Sequence, residues 1–142
     1  MNPNKTNLLL AAIALSLVAL SCSSLTNAKP AAERGIIEFH GQFNAGDFTT
    51  IYNNSGDEFK NATTQQQLNE LLSAVLRKLG HVTSTTNISW RTGNFNLVTT
   101  VVMQQDTKFE NGSATETFTY KVDGDKAVLI GYFINSADLI TK

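Results

Sequence analysis

The chain of 142 residues contains little cysteine, little proline and almost no net charge. Cys22 is its only cysteine, so an internal disulfide is excluded, and the two histidines, His40 and His81, are too few for a usual zinc site. A formal charge of −1 argues against nucleic-acid binding, which requires clustered positive charge. No repeat or low-complexity tract divides the sequence. We therefore predict a single domain with no metal and no cofactor.

Charge is also lacking near the N-terminus, where Leu8 to Leu20 follow the basic residue Lys5. A basic head, a short apolar run and small residues at its end are typical of a secretory signal peptide, and the run is too short to span a membrane comfortably. The segment Val18–Cys22 resembles a bacterial lipobox, in which the cysteine thiol is acylated. This resemblance predicts a signal peptide over residues 1–21 and lipid attachment at Cys22.

Residues 22–30 are then a tether and residues 31–142 the domain. Acylation would explain an exported chain with one unpaired cysteine. It predicts a bacterial envelope protein anchored in the membrane, and Ser23 after the cysteine resembles an outer-membrane address facing the periplasm. The alternative is cleavage after Ala28, which would remove Cys22 and leave a soluble secreted or periplasmic protein.

Apolar residues recur at helical spacing in three segments before the middle of the chain. The first segment runs from Ala31 to Phe43. The second is a short helical turn after Asp47, whose side chain can cap the turn by accepting from its first backbone N–H groups. The third runs from Thr64 to Leu79 with apolar residues at i, i+3, i+4 and i+7, and Gly80 is typical of a helix end. We expect two or three helices here.

After Gly80 the apolar residues alternate with polar ones, which is typical of β-strands. A first, threonine-rich strand contains Trp90, and Arg91–Asn94 is predicted to turn the chain. The second strand would run from Phe95 to Phe109, long enough that we expect a β-bulge to bend it.

Two hairpins are predicted farther along, at Asn111–Gly112 and at Asp123–Gly124. They enclose a third strand around Phe118, and Ala127 to Ile134 forms a fourth. Helices followed by strands predict an α+β fold, with the helices on one face of a curved four-stranded antiparallel meander.

This pattern resembles the cystatin-like, nuclear-transport-factor-2-like superfamily, and within it small bacterial lipoprotein domains of unknown function. The resemblance covers residues 31–140 and rests on Phe39, Phe43, Gly46–Phe48, Tyr52, Leu79–Gly80 and Val128–Ile134. It implies a cone-like domain with an open mouth. Members of the superfamily include enzymes, ligand binders and interaction modules, so the resemblance implies no particular activity.

His40 is the candidate catalytic residue, because its imidazole could act as a general base if the first helix directs it into the cone. The alternative is a histidine at the border of the helix that is hydrogen-bonded or solvated. Tyr52, Trp90 and Tyr120 are candidate ligand-binding residues, together with Tyr132, although aromatic residues in a small domain usually form its core.

The expected inward face of the central strands shows no aspartate or glutamate among Phe95, Leu97, Val101 and Met103. This absence argues against an isomerase mechanism that depends on a buried carboxylate base. We therefore expect a non-enzymatic module that binds a protein or a small apolar ligand near the membrane. The alternatives are an isomerase, dehydratase or hydrolase that uses His40 or a tyrosine, and a scaffold that forms a homodimer through its sheet.

Overall fold

The computed structural model describes residues 27–95 and 98–141, so the predicted signal peptide and Cys22 lie outside the described residues. Four helices come first: α1 (Ala28–Asn44), α2 (Phe48–Asn54), α3 (Asp57–Ala62) and α4 (Gln65–Leu79). Four strands and a last helix follow: β1 (Val82–Phe95), β2 (Val98–Phe109), β3 (Gly112–Asp123), β4 (Lys126–Asn135) and α5 (Asp138–Thr141).

The helices begin earlier and are more numerous than the sequence predicted. Helix α1 starts at Ala28, so residues 28–30 are helical although we assigned them to the tether. Pro30 is tolerated there because a first-turn N–H has no partner within the helix. Helix α3 was not predicted separately, since six residues with a single buried side chain, Phe59, are too short to show a period.

Helix α4 matches its prediction closely. Thr64 accepts from the backbone N–H of Gln67, and the Gln67 side chain accepts from the backbone N–H of Thr64, which forms a capping box. Gly80 follows the helix with φ +79°, a backbone conformation that residues other than glycine rarely adopt. Four apolar residues are buried on one face: Leu68, Leu72, Val75 and Leu79.

The sheet has the order β1-β2-β3-β4 with antiparallel neighbours, which confirms the α+β class and the four-stranded meander. The turn predicted at Arg91–Asn94 is wrong, because these residues continue β1 and pair with Thr99–Val102 of β2. The register shifts lie within β1 and at Thr119/Tyr120 between β3 and β4. The pairing of β2 with β3 has none, so the expected bulge is not in β2.

The helices cover one face of the sheet and enclose the core. Along β2, Val101, Met103, Gln105, Thr107 and Phe109 are buried, and along β3 alternate residues from Ala114 to Val122 are buried. Helix α1 packs Ile36, Phe39 and Phe43 into this layer. Because the buried residues of β2 and β3 include polar side chains, the core has a polar centre.

Candidate functional site

The polar centre is built around Glu116 on β3. Its side chain lies on the same face as Phe118 and Tyr120, because residues two apart in a strand point the same way. Glu116 is only 1% exposed, and apolar side chains surround it. A carboxylate buried this deeply requires hydrogen-bond partners, since an unpaired buried charge is very unfavourable.

Three side chains from three different elements supply these partners. His40 of α1 places its Nε2 atom 2.7 Å from Oε2 of Glu116, and Thr107 of β2 donates its hydroxyl to the same oxygen at 2.6 Å. Tyr132 of β4 donates its hydroxyl to Oε1 at 2.7 Å. These four residues, here called the Glu116 cluster, connect α1 with three strands.

Aromatic rings surround the cluster. Phe118 and Phe39 meet the His40 ring edge-on, with centroids 5.7 Å and 5.9 Å away. The same two rings pack against Tyr132 at 5.2 Å and 4.8 Å. Hydrogen bonds in such apolar surroundings are electrostatically stronger than in water, and a missing partner is correspondingly costly.

Burial raises the pKa of Tyr132 well above its usual range, and the negative charge of Glu116 raises it further. Tyr132 therefore keeps its proton at neutral pH and donates it to the hydrogen bond. Each carboxylate oxygen of Glu116 already has at least one donor. The cluster is thus a satisfied connection between elements, and its carboxylate is engaged within the core.

The cluster continues toward the surface through hydroxyl and amide groups. The hydroxyl of Thr85 on β1 lies 3.1 Å from that of Thr107 and 3.3 Å from Oε1 of Gln105. Gln105 and Thr107 are buried, whereas Thr85 is exposed. A continuous polar path therefore leads from the exposed strand β1 to the buried carboxylate.

A groove of about 240 Å³ opens beside the cluster, between α3, α4 and β4. Tyr132 belongs to both, because its ring lines the groove and its hydroxyl is held by Glu116. The groove, here called the Tyr132 groove, is lined by apolar and polar surface in nearly equal parts, from Phe59, Ala62, Thr63, Gln67, Leu68, Leu71, Ile130, Gly131 and Tyr132.

The structure places the residues predicted from sequence in different parts of the molecule. His40 is buried and joins the cluster, which matches the alternative of a hydrogen-bonded histidine. Tyr52 is half-buried on α2 and donates to the Thr63 carbonyl at 3.4 Å. Trp90 is 48% exposed on β1, and Tyr120 is buried on β3. Tyr120 borders a cavity beside α1 and Trp90 borders a different one on β1, and Tyr52 borders neither of them.

Tyr120 has a hydroxyl that is buried without a hydrogen-bond partner among the described residues. Its ring lies against α1 where the helix has Gly35, and a Cβ at that position would be 2.7 Å from Cε1 of Tyr120. Burial raises the pKa of Tyr120, with a further contribution from the charges of Glu38 and Glu116. Gly35 thus gives Tyr120 the space to pack beside the helix.

Glu116 is the residue that the sequence reasoning missed. The prediction that the inward face of the central strands has no aspartate or glutamate is wrong, because Glu116 is buried on β3. The residues that supported the prediction all belong to the predicted second strand, so its argument against a buried carboxylate base does not hold. The alternation of Phe118, Tyr120 and Val122 contains the necessary signal, since Glu116 has the same parity. An acidic residue in phase with three buried apolar residues indicates a buried, partnered carboxylate.

Charged groups outside the cluster form surface contacts. Oε2 of Glu110 accepts from the backbone N–H of His81 and lies 2.9 Å from Nδ1 of the His81 ring. These hydrogen bonds lower the pKa of Glu110. Within residues 27–95 and 98–141, no three His, Cys, Asp or Glu side chains lie close enough to hold a metal ion. None of the helices in these ranges is long and apolar enough to cross a membrane.

Comparison with known protein families places most of the described domain in a family of unknown function. A family described as protein of unknown function (DUF3887) matches residues 37–128, which is more than half of the chain. The matched segment runs from α1 into β4 and includes His40, Thr107 and Glu116. No curated protein and no solved structure gives a significant match. The chain therefore belongs to the DUF3887 family of proteins of unknown function.

Proposed function

We propose that this protein is a lipid-anchored module of the bacterial cell envelope that binds a small apolar ligand in the Tyr132 groove. The proposal keeps the sequence-based prediction of a non-enzymatic, cystatin-like binding domain tethered through Cys22 and facing the periplasm. The groove limits the size of the ligand, because the volume of the groove is below the 300–1,000 Å³ that is typical of drug-sized ligand pockets.

The observation that carries this proposal is the double role of Tyr132. Its ring forms a wall of the groove, and its hydroxyl is held at 2.7 Å by a carboxylate that His40 and Thr107 also contact. A wall fixed in this way provides a pre-formed surface, and pre-organisation reduces the entropy cost of binding. In this interpretation the buried ionisable groups support the binding site.

Ligand binding in the Tyr132 groove is tested by native mass spectrometry of the full chain purified from its own membranes. We expect a reproducible added mass on the wild-type protein. Ala62→Phe, at an exposed groove residue, should displace it by filling the groove, whereas Ala45→Phe at an exposed residue that does not line the groove should retain it. The assignment would be refuted if the wild-type protein carried no added mass, or if both variants retained the added mass equally.

The anchor is tested separately. Cells fed an alkyne fatty acid should incorporate the label into the wild-type protein but not into Cys22→Ser. Ser21→Ala, next to the predicted cleavage site, is the matched control and should still be labelled. An unlabelled wild-type protein would favour cleavage after Ala28 and a soluble secreted or periplasmic protein.

A second candidate function is catalysis, favoured by the 2.7 Å contact between His40 and Glu116 beside a groove. Paired imidazole and carboxylate groups are a common acid–base arrangement. The discriminating variant is Glu116→Gln, which preserves the side-chain shape. An enzyme inactivated in this way would accumulate a substrate mass that the wild-type protein lacks, whereas a binding module would carry the same mass in both forms.

A further inference from the structure

Strand β1 lacks the burial that the other strands have. Every residue from Thr83 to Asn94 is exposed except Asn87, which is half-buried. The exposed residues include two large apolar side chains, Ile88 at 53% and Trp90 at 48% exposure. Lys29 approaches the Trp90 ring to 5.8 Å but leaves about half of it uncovered.

The sheet order places β1 at an edge, where one side of its backbone has no neighbouring strand within residues 27–95 and 98–141. Natural proteins protect such edges with lysine, proline, short strands or a covering element, because a free edge pairs readily with another chain. Strand β1 is 14 residues long and contains no lysine and no proline. Its protection consists of two register irregularities, at Val82/Ser84 and at Asn87/Ser89, and of Asn44, whose side chain bonds both the N–H and the carbonyl of Val82.

The opposite edge is treated differently. On β4, the carbonyl of Leu129 accepts from the N–H of Gly56 at 2.8 Å, and α3 packs against the strand. Two edges of one sheet thus differ, because a segment of the chain bonds to β4 while β1 beyond Val82 remains open. This difference indicates that β1 is the edge available to another strand.

Charge complementarity identifies the strand that fits. Arg91 is the one charged residue of β1, and it forms no ion pair with any described residue. Asp106 on β2 is exposed and also has no ion-pair partner among the described residues. Asp106 lies beside Thr86 in the register of β1 with β2.

We propose that β1 pairs antiparallel with β1 of a second copy of this chain, with Arg91 of each copy opposite Thr86 of the other. Neighbouring strands lie about 4.8 Å apart, so Arg91 can reach across the small Thr86 to Asp106 on the next strand. The two-fold symmetry of the pair creates this contact twice. The result is one continuous sheet of eight strands.

The proposed register also keeps the two faces of the sheet continuous. Arg91 and Thr86 pair with Val102 and Asp106, which alternate with the buried positions of β2, so both side chains lie on the face away from the helices. The same register places Trp90 opposite Asn87, and both lie on the helix side. Each Trp90 would therefore be covered by the partner strand.

The test is sedimentation velocity of the full chain in density-matched detergent over a range of protein concentrations. We expect a reversible wild-type dimer. Arg91→Asp and Asp106→Arg should each weaken it at least about tenfold, because each places like charges together, and the double variant should restore it. Asp123→Arg, at an exposed residue far from the proposed pair, is the matched charge-change control and should behave as wild type.

Unfolding midpoints of all four variants show whether the domain remains folded, and exposed positions make large losses unexpected. A wild-type protein that stays monomeric at every concentration would overturn the proposal. A dimer that both single variants leave unchanged would overturn the register and with it the proposed pairing.

Discussion

Strands β3 and β1 belong to the same sheet but have opposite environments. On β3 every second residue from Ala114 to Val122 is buried, including a carboxylate, whereas β1 exposes almost all of its residues from Thr83 to Asn94. Both strands are rich in threonine, and β1 has one charged residue where β3 has three. The difference arises because α1 packs across the middle of the sheet. Position in the sheet therefore decides whether a polar side chain supports the core or remains available to a partner.

The strongest test of the buried half of this comparison is Glu116→Ala. Removing the carboxylate leaves His40, Thr107 and Tyr132 without their shared acceptor, and a buried donor left unsatisfied costs about 1–3 kcal/mol of unfolding free energy. Urea unfolding followed by circular dichroism measures this loss. Glu70→Ala, at an exposed residue of α4, is the control and should change stability by less than about 0.5 kcal/mol.

Two tyrosines sharpen the comparison within the core itself. Tyr132→Phe removes a hydrogen bond to Glu116 and should cost about 1.5–3 kcal/mol, since the acceptor is charged. Tyr120→Phe removes a buried hydroxyl without a partner and should leave the stability unchanged or increase it by about 1 kcal/mol. The two substitutions delete the same atom, so equal losses in denaturant unfolding would contradict the assigned roles.

Substitutions at two glycines of α1 distinguish the helix face that packs on the sheet from the face that meets solvent. Gly35→Ala should destabilise the protein by about 1–3 kcal/mol, because the added Cβ would lie 2.7 Å from the Tyr120 ring. Gly41→Ala meets no atom within 4 Å and should stabilise the helix by up to about 1 kcal/mol. Thermal unfolding of the two variants should shift in opposite directions, and a common sign would refute this packing.

The raised pKa values of Tyr120 and Tyr132 predict a loss of stability in alkali. Both groups stay protonated in the fold, while in the unfolded chain they ionise above their usual pKa of about 10. The unfolded state then binds fewer protons, so stability is unaffected below about pH 10 and falls above it by up to about 1.4 kcal/mol per pH unit for each tyrosine. Unfolding from pH 8 to pH 11, compared with Tyr120→Phe, checks the slope; an equal slope in the variant would contradict the assignment.

The exposed half of the comparison predicts the smallest effect. Ile88→Thr on β1 should change the unfolding free energy of the dilute protein by less than about 0.5 kcal/mol, because the side chain is half exposed and lies at a bulge. A loss above about 2 kcal/mol in dilute urea titrations would show that Ile88 supports the fold, and the account of β1 as an open strand would be wrong.

Elements whose pattern is local were predictable from the sequence. Helix α4 has an uninterrupted apolar period and a cap at each end, and the strand order follows from two short hairpins. The turn placed at Arg91–Asn94 was wrong because Gly93 and Asn94 favour turns by themselves, whereas pairing with β2 extends the strand through them. Strand length was set there by the neighbouring strand.

The candidate site was only partly predictable, since it depends on which elements meet. His40 is a candidate because of its helix position, but its partner Glu116 is 76 residues away on a strand, and no local sequence pattern relates the two. Trp90 was grouped with Tyr52 and Tyr120 because all are aromatic, although Trp90 and Tyr120 border different cavities and Tyr52 borders neither of them. Sequence alternation reports which face a residue occupies, and it does not report what covers that face.

Hydrogen–deuterium exchange of the full chain at two protein concentrations tests the contrast between β3 and β1 most directly. The account predicts that amides from Ala114 to Val122 exchange slowest at both concentrations, while amides on the outer edge of β1 become protected only at the higher concentration. Uniform protection of β1 and β3 in the dilute protein, or β1 amides that stay unprotected at the higher concentration, would contradict it.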